Sequence, residues 1–62
     1  MNSSQLSVRE KEVLNLVALG KTNKEIGLVL YITEQTVKNH IYNMCQKTGA
    51  SNRRELVHMT SI

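Results

Sequence analysis

At 62 residues the chain holds one small domain, with no room for a second domain or for an active-site cleft between lobes. A chain of this size buries only roughly 60% of its unfolded surface, so its core is thin and its stability marginal. Eight Lys+Arg against five Asp+Glu give a net charge of +3, which fits an anionic partner but does not choose between nucleic acid and membrane lipid. The single Cys45 excludes an internal disulfide and reads as a small buried thiol beside an apolar stripe. No apolar run nears the ~20 residues needed to span a bilayer. Met1 to Gln5 lacks the basic start and apolar stretch of a signal peptide, so the chain reads as cytoplasmic. Proline is absent and nothing alternates as a strand would, which points to an all-α domain.

In chain order, residues 1–5 read as a disordered tail and residues 6–62 as the domain. Ser7 and Glu10 have capping-box spacing, with the Ser7 hydroxyl aimed at the Glu10 amide and the Glu10 carboxylate aimed back. Helix 1 is expected over about 8–19. Val13, Leu14, Leu16, Val17 and Ala18 form its apolar face, Glu10, Lys11 and Asn15 lie outside, and Gly20 follows as a left-handed stop. Thr22 and Glu25 repeat the box and open helix 2 over about 23–30, with Ile26, Val29 and Leu30 apolar. Gly27 sits inside it at a cost of about 1 kcal/mol, which a close crossing of another helix would explain. Tyr31 and Ile32 leave space only for a tight turn before Thr33, the next N-cap, so helices 2 and 3 have helix-turn-helix spacing.

Helix 3 is expected over about 34–47, stopping at Gly49. At about 100° per residue, Val37, Ile41, Met44 and Thr48 fall in one core-facing sector. Gln35, Lys38, Asn39, Tyr42 and Gln46 fall on the other side, a face with one cation, several hydrogen-bonding groups and no carboxylate. Such a face suits the edges of bases in a DNA major groove, and it equally suits plain solvent. Asn52 and Glu55 then cap a short helix 4 over about 53–60. Its apolar Leu56, Val57 and Met59 spread over more than one face, enough for self-association as well as core packing. The whole reads as a four-helix bundle containing a helix-turn-helix.

Chemistry is poorly supplied. His40, Cys45 and His58 are the residues that could suggest a metal or a nucleophile. His40 and Cys45 stand about 140° apart around a helix and cannot share a ligand face. No Cys/His spacing matches a zinc site and there is no glycine-rich phosphate loop, so neither catalytic residue, metal nor cofactor is expected. A protein-interaction module, with the outer face of helix 3 meeting an acidic partner, is the second functional class. A membrane-surface helix is weak, because mutual packing accounts for the apolar stripes.

Four blocks, Leu6 to Leu14, Gly20 to Ile26, Thr36 to Ile41 and then Arg53, resemble the signature of the LuxR/NarL-type (GerE-like) helix-turn-helix domain over roughly residues 6–60. The resemblance implies the DNA-binding output domain of a bacterial transcription regulator, such as a response regulator, whose helix 3 enters the major groove. By position it implies base contacts from Lys38, Asn39 and Tyr42 and backbone contacts from Thr22, Asn23, Thr33, Gln35, Thr36 and Lys47. It also implies a homodimer on an inverted repeat through helix 4, where Arg54, Val57, His58 and Ser61 are the interface candidates. RNA polymerase is a further candidate partner, and Arg53 matches an arginine that bonds back to the body of the domain. Gly27 stands where the family more often has alanine and Thr48 where it has leucine. Arg54 and His58 stand where helix 4 is often alanine-rich or aliphatic.

Overall fold

The computed structural model describes residues 5–60. They form four helices: α1 (Val8–Ala18), α2 (Asn23–Leu30), α3 (Glu34–Thr48) and α4 (Arg53–Thr60). The expected tail lies outside the described residues except for Gln5, and so does Ser61.

Local chemistry sets the boundaries. The Ser7 hydroxyl accepts from the Glu10 amide (3.1 Å), and the Glu10 carboxylate accepts from the Ser7 amide (2.9 Å). Thr22 and Glu25 do the same at α2, at 3.1 and 2.8 Å. Each exchange satisfies two amides that a helix start would otherwise leave without partners. Asn52 Oδ1 caps the Glu55 amide (2.8 Å), but the Glu55 carboxylate returns to the amide of Ser51 rather than that of Asn52. Gly20 and Gly49 take left-handed φ of 87° and 84°, as the stops require. Helix α1 ends one residue short of expectation, with Leu19 as its C-cap, and α3 runs one residue further, to Thr48. The Thr48 hydroxyl donates to the Met44 carbonyl (2.9 Å), spending its polarity inside its own helix.

Helix α3 packs against all three others, and α1 also meets α2 and α4. The core is Leu6, Val13, Val17, Ile26, Val37, Met44, Ala50 and Leu56. Val37 and Met44 are fully buried and Ile41 is half-buried, which is the stripe expected of helix 3.

Four expectations fail on contact with the fold. Glu10 lies inside, not outside: it is 4% exposed, and Lys47 Nζ of α3 bonds its carboxylate at 2.8 Å. Ala18 turns to solvent because α1 ends there. Val29 is 53% exposed, because α2 buries the side of Ile26 and Gly27 instead. Gly27 is not crossed by another helix. A Cβ there would stand 2.6 Å from the Ile32 carbonyl oxygen, so the close neighbour is the backbone of the α2–α3 turn.

That turn holds a conformation the sequence gives no sign of. Tyr31 caps α2 in the left-handed region, φ 61° and ψ 42°, without the glycine or asparagine that usually takes such a place. The amides of Tyr31 and Ile32 both turn back to the Gly27 carbonyl, and the Tyr31 ring stands 94% exposed.

Candidate nucleic-acid interface

Two helix N-termini and one helix face make up the candidate site. The face is the outer side of α3. Gln35, Lys38, Asn39, Tyr42, Asn43 and Gln46 are all exposed, Tyr42 by 64%, and no Asp or Glu occurs from Gln35 to Thr48. Packing of Val37 and Met44 into the core fixes the rotation of α3 about its axis, and so fixes which side chains project. Among the described residues, Lys38, Tyr42, Asn43 and Gln46 make no side-chain hydrogen bond or ion pair within the chain. Gln35 Nε2 donates to Asn39 Oδ1 at 3.1 Å.

The two N-termini share a threonine cap but differ in what closes it. At α2 the Glu25 carboxylate sits on the Thr22 amide, and that bond holds its proton affinity below the ordinary carboxylate value. A phosphate arriving there meets a negative charge already in place and has the next amides of the turn left to bind. At α3 the residue three after the cap is Thr36, not an acid. Thr33 Oγ1 accepts from the Thr36 amide (3.1 Å) and lies 2.9 Å from Thr36 Oγ1. Among the described residues no carboxylate returns to the Thr33 amide, so the start of α3 keeps the anion-attracting character of a helix N-terminus more fully. Glu34, exposed in the first turn, offsets part of it.

The sequence-derived set divides accordingly. Lys38, Asn39, Tyr42, Gln35, Thr33 and Thr36 come together on α3. Thr22 and Asn23 lie at the start of α2, where Asn23 Oδ1 accepts from Arg53 Nη1 and the other Arg53 nitrogen donates to the Lys21 carbonyl. Arg53 therefore has the structural role expected of it, tying α4 to the entrance of α2. Lys47 stands apart. Its ammonium is drawn onto Glu10, with its side chain 41% exposed against 6% for the glutamate. Burial pushes the Glu10 carboxyl up, but the bonds from Lys47 and Ser7 outweigh it and hold the group below its usual range. Nothing local marks this pair in the sequence, because its members lie 37 positions apart.

Along α4, Arg54, Val57 and His58 line an open groove of about 590 Å³ with Val17 and Arg53. Cys45 is half-buried on α3, and burial, then the charge of Glu55, push its thiol up and away from reactivity. Among the described residues no cluster of His, Cys, Asp or Glu could hold a metal ion, and no helix is long and apolar enough to cross a membrane.

Comparison with known proteins gives the family. A family model described as bacterial regulatory proteins, luxR family, matches residues 4–60. The transcriptional regulatory protein YvfU of Bacillus subtilis, itself named uncharacterized, is 50% identical over 54 residues, covering 87% of this chain and 27% of YvfU. The CsgBAC operon transcriptional regulatory protein of Escherichia coli is 46% identical over 55 residues, 89% of this chain and 26% of that protein. The spore germination protein GerE of Bacillus subtilis is 48% identical over 52 residues, 84% of this chain and 70% of GerE. No solved structure gives a significant match.

Proposed function

Because this chain belongs to the luxR family of bacterial regulatory proteins, DNA-binding helix-turn-helix domains rather than enzymes, we propose that it reads a specific double-stranded DNA site by laying α3 in the major groove. The observation that carries the reading is the exposed, carboxylate-free outer face of α3, rotated outward by a buried stripe on the same helix. Lys38 donates to guanine O6 or N7, Asn39 pairs with a base edge, and Tyr42 meets a base or its sugar. Thr33 and Thr36 at the start of α3, with Gln35 beside them, and Thr22 and Asn23 at the start of α2 meet phosphates and hold the register. Lys47 adds positive charge behind them while remaining bonded to Glu10.

The chain spans about a quarter of YvfU and of the CsgBAC regulator, so the larger activity belongs to the proposal as well. The domain acts as the output of a longer cytoplasmic transcription regulator, with RNA polymerase as a further partner of the assembled complex. Two copies pair through Arg54, Val57 and His58 of α4, with Ser61 beyond the described residues, and bind an inverted repeat. The exposed groove along α4 supports that arrangement.

Selection of bound duplexes from a random pool tests the reading. The expected product is one preferred sequence with two-fold symmetry, bound with an affinity that falls steeply as salt rises. Absence of binding to any duplex at low salt would favour a protein-docking role for the same face. A preferred but unsymmetrical site would keep DNA reading and remove the α4 dimer.

A further inference from the structure

We infer that His40 and Asn43 contact DNA phosphates, completing a backbone-facing flank of α3 whose ends are Thr36 and Lys47. The inference rests on the reading of α3 as the helix in the major groove and goes beyond it, since that reading gives neither residue a role.

Helical geometry defines the flank. At about 100° per residue, Thr36, His40, Asn43 and Lys47 follow one another along α3 within a strip about 60° wide. The strip lies about a quarter-turn from the buried Val37 and Met44, and about as far from Asn39 and Gln46, which point most directly outward. A helix with its side chains is about 10–12 Å across and the major groove about 12 Å wide, so the helix fills the groove from wall to wall. The walls are the two phosphate chains. Outward side chains therefore meet base edges, and flanking ones meet phosphates. The opposite flank is poorly equipped for this: it holds the carboxylate of Glu34 and the half-buried Cys45, with Lys38 at its outer border.

Within the strip the four members differ in what they have left to offer. The Thr36 hydroxyl is engaged with Thr33 Oγ1 at 2.9 Å, and the Lys47 ammonium with Glu10 at 2.8 Å. Among the described residues, His40 and Asn43 make no side-chain hydrogen bond or ion pair. His40 is half-buried, yet none of its side-chain nitrogens is buried without a partner, so a packed ring turns its polar edge to solvent. Asn43 is exposed and brings two amide donors, and the imidazole brings at least one N–H. Neither residue has to break an internal bond to meet a phosphate oxygen. The two uncommitted members thus sit between two that are already partly spent.

Four variants of the chain test this, each put through selection from random duplexes, salt titration on random duplex and thermal unfolding. Asn43→Ala removes the donors at an exposed position. It should weaken binding to selected and random duplexes alike by about three- to tenfold, with base preference and unfolding temperature as in the parent. Asn43→Lys places a cation at the same point and should steepen the fall of log K with log salt by about 0.9. Asn15→Lys, exposed on α1, changes net charge equally away from the flank and should leave that slope nearly as it was. His40→Leu keeps much of the ring's bulk without its N–H and should weaken both kinds of duplex by about two- to fivefold, with the unfolding temperature separating that loss from a loss of fold. If Asn43→Ala binds like the parent, or Asn15→Lys steepens the slope as much as Asn43→Lys, the flank is overturned. If Asn43→Ala instead shifts preference at one base pair, Asn43 reads a base and the flank is likewise overturned. Either result leaves DNA reading in place as long as Lys38→Ala and Asn39→Ala lose discrimination. If the parent binds no duplex at low salt, both statements fall.

Discussion

The two sides of α3 are built on opposite terms. Its inner side is fully committed: Val37 and Met44 are completely buried, the Thr48 hydroxyl is bonded within the helix, and Lys47 is fixed on a buried carboxylate of α1. Its outer side is exposed, and among the described residues its side-chain bonds run to near neighbours, Thr33 with Thr36 and Gln35 with Asn39. The difference means that one helix divides two tasks with little overlap. Substitution inside should change how much of the domain is folded, and substitution outside should change what the folded domain binds.

Several variants bear on that division, the strongest first. Met44→Ala opens a cavity at the point where α3 meets its neighbours and should cost about 2–5 kcal/mol, enough to unfold much of so small a domain. Denaturant titration should show a lowered midpoint at unchanged slope, while the fraction still folded keeps the parent base preference. A shifted preference would mean that the two sides are coupled.

Lys47→Met is the sharper probe, because Lys47 lies on the border. It leaves the Glu10 carboxylate buried with Ser7 as its partner, and the expected loss is about 1–2 kcal/mol. That figure stands at the low end for a broken buried pair because the lysine is half exposed and screened. The pH dependence carries the sign. Glu10 titrates lower in the folded state than in the unfolded chain, so its stabilisation is present in full above the usual glutamate range near ~4.3 and is lost as pH falls through the folded value. Unfolding measured from neutral pH downward should show that acid limb in the parent and a shallower one in Lys47→Met. A variant with parental stability at every pH, but a weaker salt dependence of DNA binding, would place Lys47 wholly on the outer side.

Lys38→Ala reverses the balance. Thermal stability should move by less than about 0.5 kcal/mol, as for an exposed helix position, while roughly 1–3 kcal/mol of discrimination disappears at one base pair. The smallest effect belongs to the turn. Tyr31→Gly should stabilise the domain by roughly 0.5–1 kcal/mol, by removing the steric cost of a left-handed residue with a side chain. Calorimetry showing a loss instead would assign the exposed ring a contact that offsets its strain.

Much of this was legible in the sequence because helix ends are local events. Ser7 with Glu10, Thr22 with Glu25, and Gly49 each act on residues within a turn of themselves, so spacing alone located α1 to α4 within a residue. The outer face of α3 was legible for a related reason, since helical periodicity fixes direction once the buried stripe is known. Glu10 was misjudged because a charge reads as exposed until a partner is seen, and its partner comes from another helix. Gly27 pointed correctly to a close approach but could not say by what. Tyr31 gave no sign, because its backbone angle is imposed by the bonds to the Gly27 carbonyl and not by its own preference.

The contact at Gly27 has a mechanical consequence for the domain. With 2.6 Å between a Cβ at that position and the Ile32 carbonyl oxygen, even one methyl group must push the turn aside, and the turn is the joint from which α3 projects. Fifteen residues of helix make a lever of about 22 Å, so a tilt of only about 5° at the joint swings its far end by roughly 2 Å. That displacement is several times the spread of about 0.5 Å within which hydrogen-bond distances fall. Position 27 thus acts as an alignment stop: its bare backbone lets the turn close to the angle that relates the starts of α2 and α3.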